Sequence, residues 1–88
     1  MNFSLNPFMW VRGEVAGNTT VGDYEVDTCD TMDCGFETAI RKKEGDWIVV
    51  EYYRNMEEAK KGHDKWCEFC KGNPAKVYSV QIEEVEEF

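Results

Sequence analysis

Apolar and polar residues alternate with a period of two along most of this chain, and the alternation gives way once to a helical stripe. Met9, Val11, Gly13 and Val15 interleave with Trp10, Arg12 and Glu14, which predicts a first strand over Phe8–Val15 after a loose arm at residues 1–7. Gly17-Asn18 is a turn signal. Tyr24 and Val26 then alternate with Glu25 and Asp27, so a second strand is expected over Thr19–Thr28, joined to the first as a hairpin. Asp30-Thr31-Met32-Asp33 breaks the pattern and reads as a loop. A third strand is predicted over Gly35–Lys43, with Phe36, Thr38 and Ile40 on one face and Glu37, Ala39 and Arg41 on the other. Glu44-Gly45-Asp46 reads as a tight turn with Gly45 at positive φ. The fourth strand, Trp47–Tyr53, is apolar on both faces except at Glu51. It is expected to lie centrally or to have its second face covered.

The period then changes. Asn55 is a good N-cap with Glu58 three residues on, and the helix it opens is expected to reach about Lys71. Glu57 and Glu58 at its start and Lys65 and Lys71 towards its end suit the helix dipole, and Gly72-Asn73-Pro74 ends it. At 100° per residue, Ala59, His63, Cys67 and Cys70 share an arc of about 80°, flanked by Gly62 and Trp66. This stripe is expected to lie on the sheet. Gly62 costs about 1 kcal/mol against alanine in mid-helix, which points to a close helix–sheet approach there. A last strand is predicted over Lys76–Glu83, with Tyr78, Val80 and Ile82 on one face, followed by an acidic tail at residues 84–88. The expected fold is α+β: one domain over residues 1–88, an antiparallel sheet of four to five strands with one amphipathic helix on one face.

Composition narrows the function classes. A chain of 88 residues has a thin core, which a partner subunit or a metal would reinforce. Its formal net charge of −8 repels nucleic-acid phosphate and attracts basic partners, although an acidic surface also serves plain solubility. No apolar run is long enough to span a bilayer, and the N-terminal segment has neither a basic nor an apolar leader region; a cytoplasmic protein is expected, with no membrane partner.

Candidate chemistry is sparse. Cys29, Cys34, Cys67 and Cys70 read first as small packed thiols. A zinc site is the next reading and disulfides the last, with Cys29–Cys34 the sterically easier pair. His63 and Cys67, one helical turn apart, resemble a thiolate–imidazole pair, but no third orienting group or oxyanion loop accompanies them. His63 reads as a packed histidine making one hydrogen bond. Asp27, Asp30 and Asp33 recur every three residues, a spacing that does not fit a calcium loop. No catalytic residue, metal or cofactor is therefore assigned, and the protein is expected not to be an enzyme. Trp10, Trp47, Tyr52 and Tyr53 offer more aromatic surface than a thin core requires and are assigned to a partner-binding surface.

The stretch Gly35–Trp66 resembles a group of small uncharacterised proteins of tailed phages and prophages. The likeness rests on the strand Phe36-Glu37-Thr38-Ala39, the Val-rich strand Val49-Val50-Glu51-Tyr52-Tyr53 and the helical Ala59-Lys60-Lys61-Gly62-His63. It covers about a third of the chain. The four cysteines and the acidic tail are not parts of the pattern. The resemblance implies a viral or prophage origin and action in a host cytoplasm. The expected function is a non-enzymatic binding protein that engages a host or phage protein, with inhibition of a nucleic-acid-handling or defence factor as one concrete form. Two alternatives stand beside it: a virion or assembly component whose aromatic strand builds a homo-oligomer, and a small-molecule or nucleotide sponge in which Arg12, Arg41 and Arg54 converge.

Overall fold

The computed structural model describes residues 12–31 and 35–88, with side chains from residue 15 onward. Its elements are β1 (Arg12–Val21), β2 (Tyr24–Thr31), β3 (Gly35–Lys42), β4 (Ile48–Tyr53), α1 (Met56–Lys71), β5 (Lys76–Ser79) and β6 (Glu84–Glu87). The first four strands form an antiparallel meander in the order β1-β2-β3-β4, and α1 lies across all four. Strands β5 and β6 form a separate two-stranded antiparallel ribbon. The fold is α+β, as the residue pattern predicts.

Four boundaries differ from expectation. The first hairpin turns at Gly22-Asp23, with Val21 opposite Tyr24, so β1 runs straight through Gly17-Asn18. Gly22 takes φ +58 at the first central position, where a two-residue hairpin turn requires a positive angle. Of the strand expected over Phe8–Val15, residues 8–11 lie outside the described residues and residues 12–15 open β1, while β2 continues through Asp30 and Thr31, where a loop was expected. The β3–β4 turn places Lys43, not Gly45, at positive φ. The last expected strand is two: the chain reverses over residues 80–83, with Glu83 at φ +58, and the acidic tail returns as β6 against β5.

The helix begins and ends where expected. Asn55 caps it by accepting a hydrogen bond from the Glu58 amide at 2.9 Å, and the left-handed residue after it is Asn73, not Gly72. Ala59, Gly62, His63 and Cys70 are buried against the sheet, while Trp66 and Cys67 are half-buried at the margin. The main core joins Tyr24, Val26, Ile40, Ile48, Val50, Cys70 and Val77. The ribbon closes one end of this layer: Val77 enters the core, Phe88 meets the Tyr24 ring edge-on at 5.2 Å, and Tyr24 Oη donates to the Pro74 carbonyl at 2.6 Å. The far face of the sheet is buried too, around Cys29, Ala39 and Val49 with Trp47 and Val80 against them, so β4 has its second face covered. A register shift between Thr38 and Ala39 lets β4 turn Ile48, Glu51 and Tyr53 toward the helix.

Candidate interaction surface

The polar side chains that look capable of chemistry are joined into one internal chain. Gly17, Thr28, Thr38 and Glu51 are successive cross-strand neighbours on β1 to β4. The glycine makes room for the His63 ring, which a Cβ at position 17 would meet at 2.8 Å. His63 Nδ1 lies 2.8 Å from Thr28 Oγ1, Thr28 Oγ1 is 2.5 Å from Thr38 Oγ1, and Thr38 Oγ1 is 2.9 Å from Tyr53 Oη. Tyr53 Oη donates to Glu51 Oε1 at 3.1 Å. That last bond sets every direction before it. The phenol has one proton and gives it to the carboxylate, so Thr38 must donate to Tyr53, Thr28 to Thr38, and His63 Nδ1–H to Thr28. The neutral ring then accepts at Nε2, from Thr19 Oγ1 at 2.8 Å.

Both ends of the chain are satisfied. Glu51 Oε1 accepts from Lys65 Nζ at 2.6 Å and Trp66 Nε1 at 2.8 Å as well as from Tyr53. Burial alone would raise the Glu51 carboxyl, but these donors outweigh it and hold the group below the ordinary carboxylate range. Burial pushes the His63 imidazole below its ordinary value, against the opposing charges of Asp64 and Asp27. Burial, followed by the Glu51 charge, raises the Tyr53 phenol. His63 therefore makes two hydrogen bonds, not one, and neither nitrogen is left to activate Cys67. Burial also raises the Cys67 thiol, and it pushes Cys70 up to about 11, so both stay in the thiol form that does not attack.

The three described cysteines do not converge. Cys29 is buried on the far face of the sheet, whereas Cys67 and Cys70 are unbridged on an unbroken helix across the near face; Cys34 lies outside the described residues. Among the described residues no group of three or more His, Cys, Asp or Glu side chains is placed to hold a metal ion. Asp27 is not part of a solvated loop: it is buried in β2 and accepts from Asn18 Nδ2 at 2.9 Å. Arg41 pairs with Glu25 at 2.9 Å and lies over the Trp47 ring, while Arg54 follows β4 at the other end of the β3–β4 ladder. These two arginines do not meet. The side chain of Arg12 is outside the described set.

Of the four residues assigned to a partner surface, the three described ones do not share one surface. Trp10 lies outside the described residues. Tyr53 is a correction: it is 8 % exposed, and its ring lies beneath Gly62 with its hydroxyl engaged in the chain above. Trp47 is half-buried against the far-face cluster, and Tyr52 is exposed beside an open groove of about 330 Å³ between β4 and α1. Glu51, Glu58, Lys61 and Lys65 line that groove with balanced charge.

The ribbon holds what the sequence reading missed. Tyr78, Val85 and Ile82 are 51 %, 59 % and 49 % exposed, the three most exposed large apolar side chains among the described residues. Tyr78 and Val85 are cross-strand partners, so they share one face; Val77 and Ser79, on the other face, are buried. Glu83, Glu84 and Glu87 are exposed around them. Tyr78, Val80 and Ile82, expected on one face, are divided: Tyr78 and Ile82 are exposed, while Val80 packs half-buried against the far-face cluster. The one sequence signal was the dense run of glutamates, which marks a strand that cannot be buried on both faces. No described helix is long and apolar enough to cross a membrane. No protein-family model, no curated protein and no solved structure matches this chain.

Proposed function

We propose that this is a non-enzymatic binding protein that engages a basic protein partner through its acidic surface. The observation that carries the reading is where the capable groups are spent. His63 and Tyr53 are saturated by neighbouring hydroxyls and by Glu51, whose Oε1 takes three donors, while a charge of −8 and several large apolar side chains remain at the surface. Saturated donors and acceptors have nothing left to offer a reacting group. An acidic surface with apolar anchors suits steered association with a cationic protein.

In its specific form the proposal is a protein of phage type acting in a host cytoplasm, where it occupies the basic surface of a nucleic-acid-handling or defence factor. The resemblance of the Gly35–Trp66 stretch and the negative charge support that form. The test is affinity capture from bacterial lysate at about 0.1 M salt, followed by elution at high salt. Basic nucleic-acid-binding proteins are expected among the eluted species and should compete with added DNA. Recovery of no basic protein under these conditions refutes the reading. A homo-oligomeric assembly component is the second reading, favoured by the exposed apolar residues of the ribbon; a monomer in sedimentation at high concentration counts against it.

A further inference from the structure

We infer that the outward face of the β5–β6 ribbon is the docking face, and that its occupant is a basic protein segment carrying apolar side chains. This rests on the proposed function and assigns it to a place. The register fixes the face: Tyr78 opposite Val85 and Lys76 opposite Glu87 point one way, while Val77 opposite Glu86 and Ser79 opposite Glu84 point the other. Only the second set reaches the core, through Val77 and Ser79. The first set has nothing over it among the described residues.

On the solvated face of an antiparallel strand pair the outward positions are ordinarily polar, and adjoining apolar side chains left in water there mark an interaction site. Here the chain spends a tyrosine and a valine on such positions, with Ile82 exposed in the adjoining turn. Tyrosine is also the side chain that anchors interfaces well, since it offers area at little rotamer cost.

Charge selects the occupant. On the outward face itself Lys76 offsets Glu87, and the exposed Glu83 and Glu84 beside it leave the ribbon surface acidic. Asp46 of the β3–β4 turn joins Glu86 and Glu87, against the one cation Lys42, in lining a neighbouring cavity of about 230 Å³. A second copy would set these carboxylates against their own kind, and the anionic surfaces of nucleic acids and of phospholipid membranes are repelled for the same reason. A basic segment is attracted, and only one with apolar side chains covers Tyr78 and Val85.

The full chain is titrated with two synthetic peptides of equal length and charge, one alternating lysine with valine and one alternating lysine with serine. Binding is followed by calorimetry and by amide shifts in NMR at about 0.1 M salt. The lysine–valine peptide is expected to bind about tenfold tighter or more, with shifts centred on Tyr78, Ile82 and Val85. Tyr78→Ser and Val85→Ser change outward side chains and should keep the parent urea midpoint, yet each should weaken that peptide about tenfold. Equal affinity for the two peptides overturns the proposal, because charge alone then binds. Tight binding with shifts elsewhere and no effect of the two substitutions also overturns it, but leaves a basic partner standing. Binding of neither peptide overturns the proposed function itself. Concentration-dependent self-association lost in Tyr78→Ser makes the occupant a second copy and overturns the assignment.

Discussion

Replacing Gly62 by alanine tests the closest contact in the fold. In an exposed mid-helix position this change stabilises a protein by about 1 kcal/mol, through propensity alone. Here the added Cβ would overlap Cε1, Cζ and Oη of Tyr53. To restore an ordinary carbon–carbon separation of ~3.5–4 Å, the ring would have to retreat by about 1–2 Å. It is not a loose side-chain tip, because its hydroxyl is held by Thr38 at 2.9 Å and Glu51 at 3.1 Å. Overpacking of this kind costs about 1–3 kcal/mol, and breaking one of those bonds adds about 1 kcal/mol. Against the propensity gain, the net expected loss is about 1–3 kcal/mol. Urea unfolding followed by tryptophan fluorescence and circular dichroism should show the midpoint falling by roughly 1 M or more with an unchanged slope. In a Tyr53→Ala background the ring is gone, so the same glycine substitution should become neutral or stabilising, a coupling that a double-mutant cycle reads directly. If Gly62→Ala alone is as stable as the parent, the close approach of α1 to β4 is wrong.

Three further outcomes follow from the hydrogen-bond chain and the thiols. Because the folded His63 pKa lies below its unfolded value of about 6.5, the stability it contributes is complete above that pH and is lost as pH falls towards the folded pKa. Urea midpoints measured between about pH 7.5 and 5 should decline, less steeply in His63→Gln, and an NMR titration of the ring with a midpoint at or above 6.5 would contradict this. Thr28→Val keeps the shape but strands the His63 Nδ1–H and removes the donor to Thr38; a loss of about 1–3 kcal/mol is expected, with altered ring-nitrogen shifts, and a neutral result would break the proposed direction of the chain. Cys70, raised to about 11 and buried, should resist iodoacetamide at neutral pH until the protein is unfolded, whereas half-buried Cys67 should react slowly; prompt alkylation of Cys70 in the native state would show that the helix does not cover it.

What the residues alone disclosed was local and periodic. The helix from Met56 to Lys71 was legible because its cap, its charge order and its stripe agree, and each depends only on neighbours three or four residues apart. The α+β class followed from the change of period, and the cost of Gly62 correctly pointed to a tight layer contact. Pairing was less legible. Gly17-Asn18 carries a good turn dipeptide, yet the turn falls at Gly22-Asp23, because Gly17 is needed as the gap that admits His63 and Asn18 as a cross-strand donor to Glu25 and Asp27. The reversal at residues 80–83 has no glycine, asparagine or proline to announce it, and Glu83 takes the left-handed angle that those residues usually mark.

The sites depended on the same long-range pairing. Thr19, Thr28, Thr38 and Glu51 are ordinary strand residues until four strands and one helix set them in a row, and only that row fixes the proton on His63 and removes Tyr53 from the surface. Likewise the alternation of Tyr78, Val80 and Ile82 reveals that a strand has two faces but not which face meets the core. That was decided by Val77 entering the main cluster and Phe88 closing on Tyr24. A period-two pattern is symmetric between inside and outside, and only contacts distant in the chain break the symmetry.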